Sequence, residues 1–176
     1  MDDNFSTFNY GFPAIAGNHA KVLILGSMPS VKSLDLQQYY AHPRNAFWPI
    51  VGRLFNFDHT LPYLQRVEVL CRHRIAVWDV LKACHRHGSL DQHIDDITSI
   101  SNDFNAFFTA NKEVKAIYFN GRKAEAIFNK SIVATLDPDF LNIPRRCLPS
   151  TSPAHANLSF EQKLHAWQHI YSVLDE

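Results

Sequence analysis

Several features are scarce or missing in this chain of 176 residues. No apolar run approaches the ~20 residues that a bilayer-spanning helix needs, so a helical membrane anchor is excluded. Only three cysteines occur, Cys71, Cys84 and Cys147, far apart and without a CxxC pair. That disfavours a disulfide framework and excludes a four-cysteine iron–sulfur cluster within the chain. Ten histidines do not restore a metal reading. Cys71-Arg72-His73 and Cys84-His85-Arg86-His87 match no zinc-ligand spacing. Neither a metal nor an organic cofactor is expected. Net charge is missing as well, since 17 Lys and Arg balance 17 Asp and Glu. A strong non-specific nucleic-acid binder carries a basic excess, so any phosphate contact must be confined to a local groove. The start, Met1-Asp2-Asp3-Asn4-Phe5, lacks the basic and apolar regions of a signal peptide, which makes cytoplasmic residence the expectation.

What is present reads as one α/β domain, with 46% hydrophobic and 19% charged residues and enough length for a full core. Residues 1–20 hold Phe5, Phe8, Tyr10, Phe12 and Pro13 without periodicity, suggesting an extended segment draped over that core. Val22-Leu23-Ile24-Leu25 has the length and β-branched content of a buried parallel strand. Ile75–Trp78, Val114–Phe119 and Cys147–Leu148 give three more strands. Helices are expected over 46–55 with Asn45 as N-cap, 61–73 with Thr60 as cap, 99–110 and 122–129. A last helix opens on the capping box Ser159/Gln162. His85 to Asp91 reads as a basic loop, and Asp79 is a polar group at a strand's carboxyl end. The alternation implies a parallel sheet covered on both faces, its right-handed crossovers bringing the loops after Leu25, Trp78, Phe119 and Leu148 to one edge.

Two of those loops carry chemistry. Gly26-Ser27-Met28-Pro29-Ser30 ends the first strand with residues that let a ligand approach the backbone closely. Tyr39-Tyr40-Ala41-His42-Pro43-Arg44-Asn45-Ala46-Phe47-Trp48 then supplies aromatic and polar groups suited to a planar polar ligand, by stacking and edge hydrogen bonds. Open α/β sheets bind ligands at this edge.

These segments resemble the uracil-DNA glycosylase superfamily, most of all its deoxyinosine (hypoxanthine) branch. Mismatch-specific members pair a Gly-Ile-Asn-Pro-Gly loop with Ala-His-Pro-x-Asn-x-Phe-Trp. Ala41 to Trp48 matches the second pattern in full, whereas Met28 replaces the water-positioning Asn of the first. The resemblance implies a three-layer α/β/α fold with a four-stranded parallel sheet of order 2-1-3-4. It further implies excision of a deaminated base, preferably hypoxanthine, from single- or double-stranded DNA by a monomer.

The residue roles follow from the same resemblance. Asn45, by itself a helix cap, takes over the water-positioning role vacated at Met28. Tyr40 stacks on the flipped base while Tyr39 supports it, because two adjacent tyrosines of an extended chain cannot both face inwards. Gly26, Ser27, Met28 and Pro29 floor the base pocket. Asn120, in Phe119-Asn120-Gly121, is by composition a turn residue; in relatives its amide reads the base edge. Leu148-Pro149-Ser150-Thr151-Ser152-Pro153-Ala154-His155 resembles a loop that pinches the DNA backbone, with Ser150, Thr151, Ser152 and His155 as contacts and Arg44 beside them. Lys32, Arg122, Lys123, Arg145 and Arg146 are further candidates for a basic groove. Leu148 stands where uracil enzymes carry His or Asn, which counts against ordinary uracil excision. His42 is assigned mainly a structural role in its turn. Two alternatives remain at this level: a glycosylase for uracil or thymine mispaired with guanine, and a non-catalytic nucleotide-binding α/β domain.

Overall fold

The computed structural model describes residues 7–175; Phe5 lies outside them. A central sheet and a smaller one share the chain. Strand β1 (Thr7–Tyr10) is followed by β2 (Val22–Gly26), α1 (Val31–Leu36), α2 (Phe47–Phe55), α3 (Tyr63–Arg72), β3 (Ile75–Asp79) and β4 (Leu81–Arg86). The two-residue β5 (Ile100–Ser101), α4 (Phe104–Ala110), β6 (Ala116–Asn120), α5 (Arg122–Ser131), β7 (Arg145–Leu148), α6 (Phe160–Trp167) and α7 (Tyr171–Leu174) complete the order. Strands β3-β2-β6-β7 form the parallel sheet, which is the expected 2-1-3-4 arrangement. Among the described residues no helix is long and apolar enough to cross a membrane.

The reason for three layers is written in β2. All five of its residues are buried, and side chains alternate faces along a strand. Leu23 and Leu25 pack with Phe104, Phe108, Ile127 and Phe128 from α4 and α5. Val22 and Ile24 pack with Phe47, Ile50, Val51 and Trp167 from α2 and α6. Both faces are therefore apolar, and each must be covered by helices.

Several boundaries differ from expectation, each for a local reason. Residues 7–10 are not draped but paired, antiparallel to β4, and β4 pairs β5. Thus 81–86 is a strand where the sequence suggested the approach to a loop. Helix α4 starts at Phe104 rather than 99, because the Asp103 side chain accepts the Ala106 N–H at 3.0 Å and fixes the start there. Helix α3 starts at Tyr63 behind Pro62; the residue before a proline is disfavoured in the helical region. Thr60 instead closes a turn, its N–H and hydroxyl both donating to Asp58. The Ser159/Gln162 capping box is present on α6. The short α1, capped by Ser30, was not evident from the sequence.

Candidate active site

The carboxyl ends of β2, β3, β6 and β7 surround a cavity of about 670 Å³. Gly26, Ser27, Met28, Pro29, Tyr40, Asn45 and Asn120 line it, as do Ser150, Thr151, Ser152 and His155. Two loops sequence-distant from one another thus share one chamber, as topology required. Arg44 is exposed and is not part of the lining. Of the other basic candidates, Arg122 and Lys123 reach the cavity wall, Lys123 lying 3.5 Å from Asp96. Lys32 is exposed on α1. Arg145 and Arg146 pair with Ile117 and Tyr118, on the part of β7 away from the rim. Among the described residues no three His, Cys, Asp or Glu side chains are grouped to hold a metal ion.

The Gly26–Pro29 loop is pinned through its carbonyls. Val80 N–H donates to Gly26 O at 2.8 Å and Leu81 N–H to Ser27 O at 3.1 Å. Arg86, only 2% exposed, donates from one guanidinium nitrogen to Met28 O at 3.5 Å, from another to Pro29 O, and from Nε to Gly88 O at 2.8 Å. With these carbonyls engaged, the loop offers a ligand mainly N–H donors. Gly26 also has a steric reason to lack a side chain: a Cβ there would overlap the Asp79 carboxylate and sit 3.1 Å from the Tyr40 hydroxyl.

Both tyrosines face inwards, contrary to the expectation for an extended pair. Tyr40 has a left-handed backbone, φ 54°, which turns the chain so that its ring follows Tyr39 rather than opposing it. Such a conformation costs on the order of 1–3 kcal/mol for a residue with a side chain and persists only where surroundings hold it. Here the Tyr40 ring stacks on Phe47 with centroids 4.1 Å apart and planes 24° apart, and Ala41 N–H donates to Ser33 Oγ at 3.1 Å. Tyr39 is buried, its hydroxyl donating to Pro13 O at 3.0 Å and its carbonyl accepting Trp48 Nε1–H at 2.9 Å. His42 accepts the Arg44 N–H at 3.1 Å, the structural role expected of it.

Asn45 sits one position outside the N-cap, which is Ala46. The shift arises because Ala46 is already helical and its N–H is held by Thr151 O at 2.9 Å. The Asn45 Oδ1 still accepts the Phe47 N–H at 2.9 Å, so the side chain is fixed while bordering the cavity. Thr151 is the clasp of the chamber. It is 1% exposed, its N–H donates to Asn120 Oδ1 and its Oγ1 accepts from Asn120 Nδ2, both at 2.8 Å. An amide has two donors and two acceptor lone pairs, so Asn120 keeps one of each. Gly121, with φ 99°, lets this turn approach Ser150, whose Cβ lies 2.9 Å from where a side chain would begin. Thr151→Val keeps the N–H bond but removes the hydroxyl acceptor. We expect it to lower stability by about 1 kcal/mol, measured by thermal melting.

One cavity group was noticed in the sequence only for its position. Asp79 is 3% exposed, borders the cavity, and its Oδ2 is buried without a hydrogen-bond partner. Burial and then the neighbouring Asp91 carboxylate push its pKa up to about 7, against the opposing pull of Arg86. Asp91 is also raised by burial, the 2.5 Å hydrogen bond from Ser27 Oγ working the other way. Tyr40 is pushed upwards by burial and by Asp79, while Asn120 counteracts. A raised folded-state pKa on an acid means that the native chain holds a proton the unfolded chain has released. Stability therefore falls as pH rises from about 4 to about 7, by at most about 4 kcal/mol. Asp79→Asn removes the part of this slope that Asp79 carries, Asp91 keeping its own, and its melting temperature at pH 8 should exceed wild type by about 5 °C.

The Uracil DNA glycosylase superfamily profile matches residues 12–171. The chain is 41% identical over 115 residues to a Methanosarcina acetivorans protein named hypoxanthine DNA glycosylase, covering 65% of this chain and 72% of that protein. A Methanosarcina barkeri protein of the same name is 37% identical over the same length and shares. In structure, it resembles a Methanosarcina acetivorans protein solved by solution NMR and described as a candidate uracil DNA glycosylase. The TM-score is 0.80 at 32% identity, covering 97% of this chain and all of that one. With nearly its whole described length matched and its strand order in agreement, the chain belongs to the uracil DNA glycosylase superfamily.

Proposed function

We propose that this protein is a monofunctional DNA glycosylase that hydrolyses the N-glycosidic bond of deaminated bases, hypoxanthine foremost. The observation that carries the reading is the convergence of Tyr40, Asn45, Asn120 and the Gly26–Pro29 loop on one cavity. Its partner is DNA, and it acts as a monomer. The names of its two Methanosarcina relatives support hypoxanthine as the substrate.

The steps follow from the groups present. The damaged nucleotide leaves the stack, at a cost of a few kcal/mol that is smallest for a poorly paired base. Tyr40, backed by Phe47, stacks on it, and the spare donor and acceptor of Asn120 meet its lactam edge. Donors of the Gly26–Pro29 loop stabilise negative charge developing on the base as the C1′–N bond breaks. Asn45 orients the water that adds to the oxocarbenium-like sugar. An amide is no general base, so its contribution is position. Hydroxyls of Ser150 and Ser152, with Thr151, His155 and the exposed Arg44, grip the backbone beside the cavity.

The test is excision from matched duplexes containing inosine or uracil, and from the same strands unpaired. Inosine duplex should give abasic product at a rate at least about tenfold above uracil duplex. Equal or faster release of uracil would refute the hypoxanthine preference, and no abasic product from any lesion would refute the enzyme.

A further inference from the structure

The group in the cavity that the scheme above leaves idle is the Asp79 carboxyl. A buried carboxylate oxygen without a partner is expensive unless it is neutral or meets a ligand; Oδ2 is such an oxygen, and Asp79 is one of the residues lining the cavity. Its placement is rigid: Asp79 ends β3 in register with Gly26, its carbonyl accepts Asn102 Nδ2–H at 2.8 Å, and Gly26 alone gives its carboxylate room. We propose that Asp79 is the acid of the excision step, carrying a proton on the unpartnered oxygen and passing it to a ring nitrogen of the departing purine. This rests on the glycosylase reading and adds to it a reason for purine selectivity.

The balance closes. As the C1′–N9 bond breaks, its electron pair goes to the base, and the Asp79 proton binds a basic purine nitrogen so that the base leaves neutral. Water adds its oxygen to C1′ and releases a proton to solvent, while Asp79 takes one up for the next turnover. A uracil ring joined to the sugar through N1 offers one N–H, at N3, and two carbonyls but no comparably basic ring nitrogen, so this acid favours a purine. An ionised Asp79 would do the opposite, since its charge would oppose charge developing on the base.

The surroundings favour the protonated form. Facing Asp79 are Asp91 from the loop after β4, Arg86 from β4, and Tyr39 and Tyr40 from the segment before α2. Burial and the Asp91 charge hold the proton on, and the buried Arg86 offsets them in part. Near neutral pH the group is thus divided between both forms, the condition under which a general acid is most effective.

The deciding measurement is single-turnover excision of inosine from a duplex between pH 5 and 9, wild type beside Asp79→Asn. Wild type should lose rate above about pH 7 with a single ionisation. Asp79→Asn, which can donate a hydrogen bond but no proton, should be at least about 100-fold slower at pH 6 and flat across the range. Its melting temperature, equal to or above wild type, shows that the loss is not unfolding; if it melts lower, Asp79→Glu takes its place and must retain the inflection. An Asp79→Asn rate within about threefold of wild type at pH 6, or a wild-type rate that climbs through pH 7, overturns the acid role while leaving the glycosylase standing. A wild type that releases nothing at any pH removes both.

Discussion

Arg86→Met should lower stability by about 3–5 kcal/mol, through three carbonyls left without a donor, and reduce base excision severely. The guanidinium is 2% exposed and, among the described residues, has no carboxylate within ion-pair distance. Its work is hydrogen bonding to Met28, Pro29 and Gly88 carbonyls. Burial lowers its pKa, with Cys84, Asp91 and Asp79 opposing, and a guanidinium keeps its charge inside proteins. Methionine fills similar volume but leaves buried carbonyls unpaired, each worth about 1–3 kcal/mol. A melting temperature about 10 °C lower is expected. Arg86→Lys should recover only part of it, because an ammonium cannot span three carbonyls in a planar fork. A melting curve for Arg86→Met within 2 °C of wild type would show that the loop is held by other means, chiefly the Val80 and Leu81 bonds.

Asn45→Ala should slow inosine excision by about 10²–10³-fold, the range found when one preorganised polar group is lost from an active site. It should also lower stability by about 1 kcal/mol, since Phe47 N–H loses its acceptor. The two effects separate with Asn45→Asp, which retains an oxygen for Phe47 N–H and should restore the melting temperature. If excision recovers with it, Oδ1 is the functional atom; if it stays low, the amide nitrogen is. Undiminished excision by the alanine variant would remove Asn45 from the mechanism.

How much of this could be read beforehand depends on the range of the interaction. The four parallel strands, the Ser159/Gln162 box and the helix expected over 122–129, which runs to Ser131, are legible because apolar period and caps act within a few residues. The converging loops followed from handed crossovers. Elements decided by partners far along the chain were less legible. Strand 81–86 exists because residues 7–10 pair with it, and its lone Arg86 looked like one basic residue among the loop's histidines. Ser27 and Asp91 gave no signal of their hydrogen bond across 64 positions.

The sequence on its own settled the α/β class and the gathering of four loops at one sheet edge, since strand burial and crossover handedness are consequences of local pattern, while the 2-1-3-4 order of the sheet was implied by the family resemblance carried by Ala41 to Trp48. Tertiary structure decided the electrostatics. Asp79 became an unpartnered, buried acid only where β2, β4 and the Tyr40 turn closed around it, and Asn120 acquired its orientation only against Thr151. Desolvation depends on everything that surrounds a group, and no stretch of sequence around Asp79 contains those neighbours.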